Sequence, residues 1–182
     1  AYALSEQVPD AISEYEIIKR QSPKDSAIVI MTNISLGDLY FQNGDFKNAE
    51  KCFKQVLKIN PDNINALNNY AYYLSLEGKK LKKAKEMSRR TIDAEPDNPT
   101  YIDTYAWILH LLGQDVEAKA MFKHAMLYGG KENADVLDHY AEVLYCLKEY
   151  DLAFIYWDQA KALDSTLGLE EKIAERKASM TK

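Results

Sequence analysis

The chain has 182 residues, 47% of them hydrophobic and 28% charged, and a formal net charge of −5. That composition suits one folded domain or a short repeat array, and the negative balance argues against nucleic acid, which asks for a clustered basic surface. Apolar runs such as 27–31 and 152–157 are far too short for membrane insertion. Cys52 and Cys146 lie too far apart for a cysteine zinc site or a disulfide framework, and read as small apolar residues.

A repeat frames the chain. Gly37, Ala71, Ala106 and Ala141 stand 34, 35 and 35 residues apart. Residues 1–23 read as most of an earlier unit cut within its first helix. Tyr2 falls at that helix's tyrosine, Ala11/Tyr15/Ile18 mark a second helix, and Pro23 closes it. The interval from Pro23 to Pro61 exceeds the shortest period by four residues. Four residues make about one helical turn, which predicts an extended helix over 25–43.

Around each anchor, apolar or small residues recur at i, i+3, i+4 and i+7, one face of a helix. They read Asn33/Leu36/Gly37/Tyr40, Leu67/Tyr70/Ala71/Leu74, Ile102/Tyr105/Ala106/Leu109 and Leu137/Tyr140/Ala141/Leu144. A second helix follows each, with Ala49/Phe53/Val56, Ala84/Ser88/Thr91, Ala118/Phe122/Ala125 and Ala153/Trp157/Ala160 facing inward. Small residues alternating with a bulky one let ridges interdigitate. Ser88 is the odd residue, standing where the other pairs place an aromatic.

Gly44, Gly78 and Gly113 punctuate the pairs, and Pro61 and Pro96 close two units with Asp62-Asn63 and Asp97-Asn98 as caps for the next helix. Gly129-Gly130 replaces the third proline, so a looser connection is expected there. Residues 166–179 predict a last helix whose many charges suit a polar outer face.

Leu36-Gly37-x-x-Tyr40, Ala49-x-x-x-Phe53 and Pro61 resemble the tetratricopeptide pattern, and the other three units resemble it too, over residues 26–165. The resemblance implies an all-α fold, a right-handed superhelical solenoid of antiparallel helix pairs. It would be one domain over 1–182: a partial repeat at 1–23, repeats at 24–63, 64–98, 99–133 and 134–165, and a capping helix and tail at 166–182. The segment 97–107 is similar to versions common in bacterial members. A fragment of a longer bacterial protein is therefore expected, with periplasm and cytoplasm both open.

Arrays of this kind bind a peptide or partner helix on a concave face lined by the first helix of each pair. Twenty-four first-helix positions are not needed for packing, and none is Lys or Arg although the chain holds 23 such residues. The candidate groove comprises Asp38, Asn65, Asn68, Asn69, Tyr72, Asp103, Trp107, His110, Asp138, His139, Glu142 and Tyr145. An acidic, aromatic groove fits a protein or peptide ligand that is neutral to basic. The cations with which co-chaperones of the family clamp a C-terminal carboxylate are missing from their usual places. The rival reading is an assembly module whose groove is filled by another copy or by further segments of its own chain, so self-association stays open. No phosphate loop, catalytic triad order or His-x-x-x-His pair occurs, so neither enzyme activity, cofactor nor metal is expected. The basic run Lys79-Lys80-Leu81-Lys82-Lys83-Ala84-Lys85, with Arg89-Arg90 after it, reads as a solvated outer face or a contact for acidic partners or anionic surfaces.

Overall fold

The computed structural model describes residues 2–180, with side chains from 7 to 179. The described residues form ten α-helices and two short 3₁₀ turns, without strands. The helices are α1 (Tyr2–Gln21), α2 (Ser26–Gln42), α3 (Phe46–Ile59), α4 (Ile64–Leu76), α5 (Leu81–Ala94), α6 (Pro99–Leu111), α7 (Asp115–Ala125), α8 (Ala134–Cys146), α9 (Tyr150–Leu163) and α10 (Leu169–Met180). They fall into two compact units, Ala1–Glu77 and Gly78–Lys182. No helix among the described residues is long and apolar enough to cross a membrane.

Local chemistry sets the helix ends. Asp25, Asp45, Asn63, Asn98 and Asn133 accept first-turn backbone N–H groups through their side chains, which satisfies donors a helix leaves unpaired. Pro99 opens α6, where a missing N–H costs nothing. The turns that end α2, α4, α6 and α8 each need a left-handed residue. Gly44, Gly78 and Gly113 supply it three times, and Lys148, with φ of 64°, takes the same place in the last pair.

In the first unit, α2 is 17 residues long against 13 for α4, a difference of four, or one extra turn. Its Gly37 admits the ring of Phe53 from α3. A Cβ built there would lie 2.5 Å from Phe53 Cζ, so the glycine is demanded by close approach. Phe53 stacks on Tyr70 of α4 at 5.8 Å, and Phe41 stacks on Tyr73 at 3.8 Å. A cavity of about 20 Å³ remains between these rings. α1 runs unbroken through Pro9 to Gln21, so one helix stands where the sequence suggests two; the Tyr2 side chain lies outside the described residues. α1 holds α2 through Lys19 Nζ to Asn33 Oδ1 (2.9 Å) and the Tyr40 hydroxyl to Glu16 (3.3 Å).

The second unit has one continuous core. Ile102, Tyr105, Ala106 and Leu109 of α6, Ala118 and Phe122 of α7, Leu137, Tyr140 and Ala141 of α8, Ala153 and Trp157 of α9, and Leu169 and Ile173 of α10 are all buried in it. The anchors and inner-face residues are thus the core. Gly130 is buried in a 3₁₀ turn against the Ala125 carbonyl, so the Gly129-Gly130 connection is packed rather than loose.

Candidate partner-binding face

The first helices carry the polar positions left over from packing. In the first unit these come from α2 and α4, whose side chains join. Asn69 Nδ2 donates to both oxygens of Asp38 (3.0 and 3.2 Å), and the Tyr73 hydroxyl donates to Asp38 Oδ1 (3.1 Å). Burial raises the Asp38 pKa, against the opposing pull of the hydrogen bonds from Asn69 and Tyr73. Asn68 Nδ2 donates to Asn69 Oδ1 at 3.4 Å, while the buried Asn68 Oδ1 has no partner. Tyr72 is half-buried beside Tyr73, and Asn65 is exposed on the first turn of α4. Four of the candidates, Asp38, Asn68, Asn69 and Tyr72, therefore form one neighbourhood, with Asn65 at its edge.

In the second unit, Asp103 of α6 and His139 of α8 are both buried and meet at 2.9 Å through His139 Nδ1. The Trp107 ring stacks on His139 at 4.2 Å and 19°, leaving the indole half-buried and partly open. Burial disfavours a charged His139, but the carboxylates of Asp103, Asp138 and Asp135 outweigh it and raise its pKa. His110 meets Asp115 at 2.6 Å, and its ring also lies 5.0 Å from that of Trp107. No group of three His, Cys, Asp or Glu among the described residues has a metal-holding arrangement.

The acidic bias is answered from within the chain. Lys172 Nζ on α10 lies 2.6 Å from Asp138 Oδ1 and 3.3 Å from Glu142 Oε2, and the Arg176 guanidinium hydrogen-bonds Glu142 Oε1. The indole N–H of buried Trp157 also donates to Asp138 (2.8 Å). Tyr145 bonds the Arg176 carbonyl and the Ser179 hydroxyl, with the guanidinium over its ring at 4.9 Å. So Asp138, Glu142 and Tyr145 dock α10, and the charges expected on its outer face include two that turn inward. The sequence carried one signal for this: Lys172 and Arg176 share the i, i+4 spacing of Asp138 and Glu142. Cys146, read as an apolar packing residue, is exposed, while Cys52 is buried.

A tetratricopeptide-repeat family model matches residues 34–63, and a second matches residues 52–86. None of the curated proteins matches the chain in sequence. Among solved structures, a thermophilic tetratricopeptide protein of Thermus thermophilus is similar with a TM-score of 0.74 at 17% identity, over 96% of this chain and 92% of that one. A tetratricopeptide protein of Parabacteroides merdae gives 0.73 at 16%, over 96% and 65%. MamA of strain MSR-1 gives 0.59 at 17%, over 89% and 97%. At these identities the likeness is one of fold. Anchors buried at a period of 34–35 residues, the sequence matches over 34–86 and the shared fold together make this chain a tetratricopeptide-repeat protein.

Proposed function

We propose that the chain is a non-catalytic interaction scaffold that holds a peptide or partner helix on its first-helix faces. Tetratricopeptide arrays serve protein interaction, and the proposal concerns where and what this one grips. The observation that carries it is the Asp38–Asn69–Asn68 chain of side chains, ending in a buried amide oxygen without a donor. Leaving such an acceptor unmade costs about 1–3 kcal/mol, and a turn of the Asn68 amide toward the N–H of a bound backbone recovers it. In the second unit, Trp107 offers a flat, rigid ring already fixed by His139, so little ordering cost remains on binding.

The ligand is neutral to basic with an apolar anchor. Asp38 and the exposed Asp135 carry acid on the first-helix faces, and no Lys or Arg of α2, α4, α6 or α8 opposes them. Asp138 and Glu142 contribute little, being matched by Lys172 and Arg176. The assembly reading draws on one observation too: α10, a segment of the same chain, occupies part of the α8 face.

Two substitutions test the proposal against peptides selected by binding from a random library. Asn68→Leu removes the lone acceptor at similar volume, so the free protein becomes more stable while peptide affinity falls. Trp107→Ala lowers affinity with a small loss of thermal stability. Lower stability with unchanged affinity in Asn68→Leu contradicts the assigned role, and selected acidic peptides whose affinity falls in Trp107→Ala contradict the charge preference.

A further inference from the structure

A second surface lies on α5, independent of the first-helix faces. Between residues 79 and 90 stand seven Lys or Arg and one acid, Glu86, a net of 7 − 1 = +6. The rest of the chain then carries −5 − 6 = −11. Helix chemistry does not ask for this grouping. Lys82 and Lys83 fall in the first turn of α5, which holds no acid, where the helix dipole disfavours cations. Lys80, at the N-cap, has a left-handed φ of 52° and makes no side-chain cap bond.

The cations also have a shape. Lys82, Lys85 and Arg89 line an open cleft of about 600 Å³ together with Tyr105, Glu86 and Glu117. Lys85 is held by a neutral group, Gln114 Oε1 at 2.8 Å, which fixes the ammonium without cancelling it. Arg89 reaches Asp93 at 3.0 Å and stays exposed.

We infer that this cleft docks an acidic protein segment, with carboxylates seated on Lys82, Lys85 and Arg89. Charge complementarity commits the site to an anion, and three observations choose a protein segment. No large apolar side chain of α5 is exposed, so the face lacks the residues that insert into a lipid surface. Glu86 and Glu117 share the cleft lining and repel a continuous anionic sheet. The −11 elsewhere repels a long nucleic acid, whereas a short segment with spaced carboxylates meets only the cleft.

The test titrates the whole chain with a fluorescein-labelled peptide of Glu, Ser and Leu, with a Lys, Ser and Leu peptide as control. Vesicles of phosphatidylserine in phosphatidylcholine and a single-stranded oligonucleotide run in parallel. The acidic peptide binds with an affinity that falls as salt rises, and any binding of the basic one, on the first helices, is unchanged when the α5 cations are removed. Replacing Lys82, Lys85 and Arg89 together by Gln weakens acidic-peptide binding roughly tenfold. If that variant loses helicity, Lys82→Gln alone carries the test, with an expected loss of about twofold. Unchanged affinity in the folded variant, no peptide binding at low salt, or tighter binding of vesicles or oligonucleotide overturns the assignment.

Discussion

Gly37 and Phe53 show how closely single residues are matched. The Phe53 ring occupies the space a Cβ would need at position 37, so Gly37→Ala should destabilise by about 1–3 kcal/mol through overpacking. Phe53→Leu in the same chain should recover part of that loss. Urea midpoints of the two variants check this, and an unchanged midpoint for Gly37→Ala contradicts it. His139 makes a second prediction, about pH. Its folded pKa is raised above its ordinary value of 6.5, so its charged form is favoured in the fold. The stability it contributes is fully present below about pH 6.5 and is lost as pH rises through the higher folded pKa. Denaturant midpoints across that window should fall with rising pH, and His139→Gln should flatten the fall. A midpoint that rises with pH in the parent and is flattened by the same substitution contradicts the pairing with Asp103.

At the scale of elements, the helix pairs were legible because burial at 34–35-residue intervals leaves a strict trace in small and bulky residues. The longer α2 was legible as well, since an added turn shifts a closing proline by a fixed count. What α10 does with its charges was not legible. Long cationic side chains take their direction from whatever carboxylate lies in reach, and periodicity does not record that. Nor did spacing reveal that α1 continues through Pro9, where the sequence offers no glycine to stop it. The pattern put the candidate residues on first helices but did not give their pairing: Asp103, Asp138 and Glu142 look like free acids in sequence and are bonded in the fold. The α10 dock gives a third prediction. Arg176→Ala leaves the largely buried Glu142 with Lys172 alone and should cost about 1–2 kcal/mol, moderated because the guanidinium is partly exposed. Adding Glu142→Gln should restore much of it. Hydrogen exchange across α10 should quicken in the single variant and slow again in the double; equal exchange in all three contradicts the dock.

For the molecule as a whole, each unit has its own core, and the second helices and the first helices bear different chemistry. First helices hold amides, carboxylates and rings in bonded sets; α5, a second helix, gathers the cations. The central claim is that partners are gripped by the first helices. Hydrogen exchange of the chain with and without a library-selected neutral or basic peptide tests it most directly. Exchange should slow in Ile64–Leu76 and Pro99–Leu111, with Phe46–Ile59 and Tyr150–Leu163 unchanged. Protection confined to those second helices would contradict it.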